Sequence, residues 1–353
     1  MYIDIRKLIR EAAEEGASDI HVCAGNPVKV RLHGSLKPVT PEVLTLMDCD
    51  ACAADLIGKE ELERAKQIGE LDKAMSVGGI RIRINVFKQQ GKVSVAIRLL
   101  QNRIPDIKDL NLPDPALGFA NVRRGLILVT GVTGSGKTTT VSAILDQINH
   151  TRSCHIITLE DPIEYVFRAD KGIISQREVG VDTETFASGL RAALREDPDV
   201  IFIGEMRDPE TMLSAVEAAE TGHLVLATLH TKSAAETVDR IIEVFPEKQQ
   251  AQIRLQLASS LEAVLSQQLV PDMKTGRRIL AAELMLMNPA IRTLVRDGKT
   301  HQIDNAILTS AREGCIPMDA SLLKLYQSGR VSRDNCIAAA YDPDQMKRNL
   351  VRG

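Results

Sequence analysis

The eight residues Gly-Val-Thr-Gly-Ser-Gly-Lys-Thr at 131–138 have the spacing of a phosphate cradle, G-x-x-x-x-G-K-[ST]. Glycines let successive backbone N–H groups turn inward around anionic oxygens, and a helix opening directly after them adds its positive dipole end. The candidate phosphate contacts are therefore Gly131, Thr133, Gly134, Ser135, Gly136, Lys137, Thr138 and Thr139. Lys137 is expected to reach the β- and γ-phosphates of ATP, and the Thr138 hydroxyl to ligate Mg²⁺.

Such a loop needs a carboxylate on a neighbouring strand. ITLEDPIE supplies Glu160, Asp161 and Glu164, and DVIFIGEMRD supplies Glu205 at the end of a short apolar run. Ligands gather at the carboxyl ends of parallel strands, so Glu205 is placed either to hold Mg²⁺ through its water shell or to orient the attacking water. In TGHLVLATLHT, His223 and His230 flank a further strand, too far apart for a zinc pair. His230 falls at the carboxyl end, where an imidazole can hydrogen-bond the γ-phosphate or a catalytic Glu. Arg81 and Arg83 alternate with Ile82 and Ile84, so both guanidinium groups leave one face of a strand, with Arg98 on the returning strand. Strand charges of this kind protect an edge, or face phosphate, in which case they act on a neighbouring chain.

These groups need a scaffold. Residues 3–15 carry apolar positions at helical spacing and stop at Gly16, and alternating strands follow. One helical segment is expected around 50–67, then a long hairpin in GGIRIRINVFKQQGKVSVAIRLL. Residues 101–116 hold three prolines and read as a linker. From Gly125 the runs LILVT, HIITL, VIFIG and HLVLATL alternate with helical stretches, which predicts an α/β domain with a largely parallel sheet. Beyond about 250 the pattern reads as mostly helical, including SSLEAVLSQQLV.

Composition narrows the classes. Net charge is 44 − 47 = −3 and there is no Trp, which disfavours a nucleic-acid motor of RecA type, the alternative from another class. A nucleotide-gated module without turnover is disfavoured by Lys137, Glu164 and Glu205 together. Cys49 and Cys52 form a lone CxxC without the second ligand pair a zinc site needs. No apolar run reaches a membrane span and no signal peptide is legible, so the expectation is a cytoplasmic protein.

Taken together, ASDIHVCAGNPVKVRLHGSL, RIRINVFKQ, GVTGSGKTTT, ITLEDPIEYVF, QREVGVDTETFASGLRAALREDPDVIFIGEMRD and AAETGHLVLATLHTKSA resemble the secretion-superfamily hexameric ATPases, and within them the type IV pilus retraction (twitching motility) group. The resemblance implies an α/β chain with a PAS-like α+β domain over 1–100, a linker over 101–116, and a RecA-like ATPase domain over 117–353 with a helical C-terminal part. It implies a homo-hexamer with ATP between the two domains, completed by a neighbouring subunit. It makes Glu164 the general base, Glu205 an atypical Walker B acid, and Arg81, Arg83 and Arg98 the arginines of the first domain. The implied partners are an inner-membrane platform protein, pilin indirectly, and an extension ATPase, at the cytoplasmic face of the inner membrane; no nucleic acid is expected.

Extension and type II secretion ATPases are the alternatives within the superfamily. They carry an extra N-terminal domain and a four-cysteine zinc site. This chain is read as starting at its PAS-like domain, with Cys154, Cys315 and Cys336 too dispersed for that site. The retraction group's AIRNLIRE-like motif reads PAIRTLVRD at 289–297, with Arg292 and Arg296 kept one helical turn apart. Both arginines are therefore expected to serve retraction rather than hydrolysis.

Overall fold

The computed structural model describes residues 3–32, 34–100 and 103–352; residues 101 and 102, expected to begin the linker, lie outside the described residues. The chain divides into two compact units, one running to Arg103 and joined by Pro162–Val166, the other holding Ile104–Asp161 and everything from Phe167 onward.

The first unit contains α1 (Ile5–Glu14), β1 (Asp19–Cys23), β2 (Lys29–Leu32), β3 (Ser35–Pro38), α2 (Leu46–Ile57), α3 (Lys59–Ile68), β4 (Glu70–Val77), β5 (Ile80–Gln89) and β6 (Lys92–Leu99). Its sheet is antiparallel at each pairing, in the order β3-β2-β1-β6-β5-β4. Alternation decides its faces. Ile82, Ile84 and Val86 of β5 turn into a core with Ile5, Ile9, Cys49, Cys52 and Leu56. Cys49 and Cys52 are thus buried in α2, one turn apart, and not near a loop; burial pushes the Cys49 thiol up to about 12, unsuited to thiolate chemistry. The single helix expected around 50–67 is two. Thr45 and Asp48 form a reciprocal capping box before Leu46, and Gly58, at φ 89°, breaks the run.

The second unit carries β7 (Gly125–Thr130), β8 (His155–Glu160), β9 (Ile173–Glu178), β10 (Val200–Ile203), β11 (Leu224–Leu229), β12 (Leu261–Pro271) and β13 (Arg278–Leu286). Their order is β13-β12-β7-β11-β10-β8-β9, parallel throughout except for the β12–β13 pair. The helices are α4 (Asp114–Leu117), α5 (Lys137–Thr151), α6 (Phe186–Ala193), α7 (Pro209–Glu220), α8 (Ala234–Glu243), α9 (Glu247–Ser260), α10 (Pro289–Arg296), α11 (Ile303–Thr309), α12 (Met318–Gln327), α13 (Arg333–Ala339) and α14 (Pro343–Arg352).

Helices cover both faces of the sheet, so its central strands have no polar side. In β7, Leu126 and Leu128 join the core under α7, α8 and α9, whereas Ile127 and Val129 join the core under α5. Burying each such side chain contributes about 1.5–3 kcal/mol, which anchors the strand whose end becomes the loop at 131–136.

Two expectations are corrected. The segment read as a linker packs on the second unit from Ile104 onward, with Ile107, Leu112 and Ala116 buried. Pro115 lies in the short helix α4, which Pro113 precedes as its N-cap. The stretch LEAVLSQQLV is the strand β12, hydrogen-bonded to β7 and β13 on its two edges. Buried on both faces, it has no polar stripe to reveal a period of two.

Candidate active site at the strand ends

The loop between β7 and α5 closes tightly. Gly131, Gly134 and Gly136 take φ of 142°, 79° and 90°, conformations that favour glycine. At Gly131 the need is also steric, because a Cβ would lie 2.5 Å from both the Gln267 carbonyl oxygen and the Ser135 hydroxyl. Helix α5 begins at Lys137, so Lys137, Thr138 and Thr139 form its first turn, where backbone N–H groups lack helical partners. Lys137 is buried, and its ammonium donates to the carbonyls of Gly131 at 2.7 Å and Val132 at 3.2 Å. The buried Ser135 hydroxyl has no hydrogen-bond partner among the described residues.

The strand ends supply the rest. Strand β10 stops at Ile203, and Gly204 carries the chain to Glu205, two residues beyond the strand. A Cβ at Gly204 would crowd the Leu159 carbonyl at 3.1 Å, so a small residue here lets the chain turn close beside β8. The Glu205 carboxylate lies 2.8 Å from Arg207 Nη2 through one oxygen and 3.2 Å from His230 Nε2 through the other. Burial opposes its ionisation, but the hydrogen bonds from Arg207 and His230 and the adjoining charge of Arg207 outweigh it and hold the carboxyl below its ordinary range. His230 follows β11 directly, and its Nδ1 lies 3.4 Å from Lys137 Nζ. The structure therefore brings Lys137, His230 and Glu205 into one chain of contacts. A cleft of about 390 Å³ opens on Glu205, Arg207, His230, Thr231 and Arg240.

Other acids have different work. Glu160 is buried and accepts from Thr158 Oγ1 at 2.7 Å and Gln176 Nε2 at 3.1 Å. Asp208 caps α7, accepting from the Thr211 N–H at 2.8 Å and the Thr211 hydroxyl at 2.7 Å. It therefore ends the Glu205 turn and starts the next helix. At the opposite end of β11, His223 Nδ1 contacts the Ala218 carbonyl at 2.9 Å.

Glu164 and the three arginines lie in the first unit. Glu164 belongs to the excursion Pro162–Val166, where Arg81 Nε donates to the Ile163 carbonyl at 3.0 Å. Arg83 stands opposite Arg98 across β5 and β6, and Arg98 stands opposite Asp19 across β6 and β1. Arg98 Nε donates to Asp19 at 3.2 Å, and Arg83 Nε lies 3.6 Å from Asp72. The three arginines thus share the sheet face away from the core, as alternation predicts.

A second cleft, missed in the sequence, flanks the glycine loop. It is about 490 Å³ and is lined by Asn111, Gly136, Thr139, Thr140, Arg278 and Arg330 among others. Gln267 Nε2 donates to Thr140 Oγ1 at 2.8 Å, and Arg330 grips Asp272 with two bonds, at 2.9 and 2.6 Å. These residues come from segments far apart in sequence and form no motif; the clustered Arg277 and Arg278 after a turn are the one local signal.

Arg292 has its partners outside its own helix. Its Nη1 donates to the carbonyls of Ala258 at 2.8 Å and Leu261 at 2.9 Å, and its Nη2 to Glu262 at 3.1 Å. It ties α10 to the junction of α9 and β12, whereas Arg296 reaches Thr293 and Asp297 on its own turn. Arg292 and Arg296, one turn apart on α10, thus hold different partners.

The sequence matches the model of the family described as "Type II/IV secretion system protein" over residues 1–339. It is 40% identical over 343 residues to the type IV pilus retraction ATPase PilT of Pseudomonas aeruginosa, covering 97% of this chain and 99% of that one. It is 37% identical to a twitching motility protein of Neisseria gonorrhoeae, covering 90% of this chain and 85% of the other. Among solved structures, the pilus retraction motor PilT with bound ADP superposes with a TM-score of 0.91 at 45% identity, covering 98% of this chain and all of that chain. No helix among the described residues is long and apolar enough to cross a membrane.

Proposed function

Because this chain belongs to the type II/IV secretion system protein family, we infer that it is a motor ATPase whose hydrolysis of ATP drives retraction of a type IV pilus. The observation that carries the reading is the contact chain Lys137–His230–Glu205 at the strand ends beside the glycine loop. Support for the retraction sense comes from the full-length likeness to a retraction ATPase and a twitching motility protein.

The residues present fit a nucleotide with Mg²⁺. Ser135 offers a buried hydroxyl without a partner among the described residues, Gly131 leaves no room for a side chain, and the first turn of α5 presents N–H groups. The Gly131–Thr139 loop would hold the phosphates, with the Lys137 ammonium turning from the Gly131 and Val132 carbonyls toward them. Thr138 and, through water, Glu205 would hold Mg²⁺, which neutralises charge on the phosphates. His230 holds Glu205 at a fixed angle and couples it to Lys137. Glu164 is the general base in this reading, accepting a proton from the attacking water. Arg81, Arg83 and Arg98 offer positive charge on one sheet face, to act on the site of a neighbouring subunit. The reading includes a ring of six such chains and a platform protein at the cytoplasmic face of the inner membrane, through which pilin is moved.

The test has two arms. Glu164→Gln and Glu205→Ala should each abolish turnover while ATP still binds; normal turnover in either variant removes that residue from the role given to it. Deletion of the gene should leave cells with excess unretracted pili. Bald cells would mean that the motor extends pili.

A further inference from the structure

The turn that presents His230 is gripped from the far end of the chain. Strand β11 ends at Leu229 and α8 begins at Ala234. Within the turn and α8 the contacts are local: Thr231 Oγ1 lies 2.7 Å from Thr237 Oγ1, and the Lys232 N–H donates to Glu236 at 2.9 Å. Two further contacts arrive from elsewhere. The hydroxyl of Tyr341, between α13 and α14, donates to the Lys232 carbonyl. Glu283 of β13, 3% exposed, accepts from the Ala234 N–H at 2.7 Å.

Both grips lead back to α12. The backbone N–H of Met318, the first residue of α12, also favours the ionised Glu283 carboxyl, so one side chain answers to the N-termini of both α8 and α12. Asp319, next in α12, accepts from the Tyr341 N–H at 2.7 Å and the Asp342 N–H at 3.1 Å. A buried carboxyl in the middle of a strand costs stability compared with an apolar residue of similar size. What this one adds is a fixed distance between the start of α12 and the turn four residues beyond His230.

We propose that Tyr341 and Glu283 are positioning residues for hydrolysis: through the turn at 231–234 they hold the His230 ring between Lys137 and Glu205, and so give the C-terminal helices α12–α14 a lever on the site. The proposal rests on the reading above that His230 and Glu205 serve the reaction. Neither residue touches the phosphate loop, so their loss should change kcat and leave ATP binding in place.

The experiment uses the full-length protein, steady-state phosphate release with MgATP, and thermal unfolding of each variant. Tyr341→Phe removes one hydroxyl and should lower kcat about three- to tenfold with an unchanged KM and melting temperature. Glu283→Gln, which keeps an acceptor for Ala234, should retain more kcat than Glu283→Ala. In a His230→Ala background, Tyr341→Phe should cause no further loss, because the hydroxyl acts through that ring. Wild-type kcat in Tyr341→Phe beside a crippled His230→Ala overturns the proposal alone. Additive losses in the double variant also overturn it, since the tyrosine would then act by another route. Full turnover in His230→Ala removes the underlying reading of the site, and the proposal with it. Should Tyr341→Phe fold poorly, the Glu283 pair decides; activity that merely follows the melting temperature there overturns the proposal in favour of a structural role.

Discussion

The Nε2 atom of His230 lies 3.2 Å from an oxygen of Glu205, and this contact fixes the state of the ring. The ring's other nitrogen, Nδ1, faces the ammonium of Lys137, which can only donate. Nδ1 therefore accepts from the ammonium, and Nε2 donates to the carboxylate. Lysine, imidazole and carboxylate form a one-way relay of hydrogen bonds. A change at the phosphate loop that draws Lys137 away alters the ring's partner and, through it, the orientation of Glu205.

His230→Ala should lower kcat by roughly ten- to a hundredfold, the worth of a hydrogen bond to a charged group. Binding of ATP, measured at equilibrium, should change little, since the backbone loop is intact. A large loss of affinity with normal kcat would show that His230 serves binding instead.

The glycine loop separates two kinds of constraint. Gly134 has an unusual φ of 79° but open space where a Cβ would sit, so Gly134→Ala should cost about 1–2 kcal/mol from backbone strain alone. Gly131→Ala adds a collision with the Gln267 carbonyl and the Ser135 hydroxyl, and should cost about 1–3 kcal/mol more. Thermal unfolding of the two variants, with nucleotide titration, checks the order. Equal effects would mean that β12 yields easily.

Arg292 and Arg296 should part company. Arg292→Ala leaves the Ala258 and Leu261 carbonyls and the Glu262 carboxylate without their donor, a loss of about 1–3 kcal/mol in unfolding free energy. Arg296→Ala, on an exposed turn, should stay within about 0.5 kcal/mol of the parent. If retraction in cells depends on this helix, Arg296 is the residue to read, because its loss should spare the fold.

Glu283 makes stability depend on pH. Burial raises its carboxyl from the ordinary 4.5 to about 7; the Ala234 and Met318 N–H groups oppose this, and Asp304 and Asp319 add to it. Between these values the folded chain binds a proton that the unfolded chain has released. Its stabilising contribution is full below 4.5 and is lost as pH rises through 7, by about 3 kcal/mol in all. Glu283→Gln cannot ionise, so its melting temperature should fall less than the parent's between pH 5 and 8. Parallel curves would show that Glu283 stays charged throughout.

Much of the site was legible because its signals are local. The glycine loop has its strand before it and its helix after it within one short segment, and Glu205 and His230 end apolar runs that can only be buried strands. Arg81 and Arg83 share a face by alternation alone, whereas Arg98 joins them only through the register of β5 with β6. What the sequence hid depends on partners far along the chain. Strand β12 carries Ser266 and Gln267 buried among apolar residues, and its two covered faces erase the alternation that would mark it. Arg292 resembles any helix-surface arginine until the carbonyls some thirty residues earlier are placed beside it. Asp208 is the exception: Asp-Pro-x-Thr is a readable helix start, and its partner Thr211 is only three residues away.

The place of β7 in the sheet sets an order on folding. This strand ends at Thr130, but its two hydrogen-bonded neighbours are β11, which begins at Leu224, and β12, which begins at Leu261. Both are made later by the ribosome. The phosphate loop therefore emerges on a strand with neither edge paired, and the pairings that fix it close over long stretches of chain, a slow kind of event. A nascent chain halted before Leu261 would carry the whole glycine motif and still lack the strand whose Gln267 carbonyl braces it. Nucleotide capture should begin only once β12 has left the ribosome and joined the sheet.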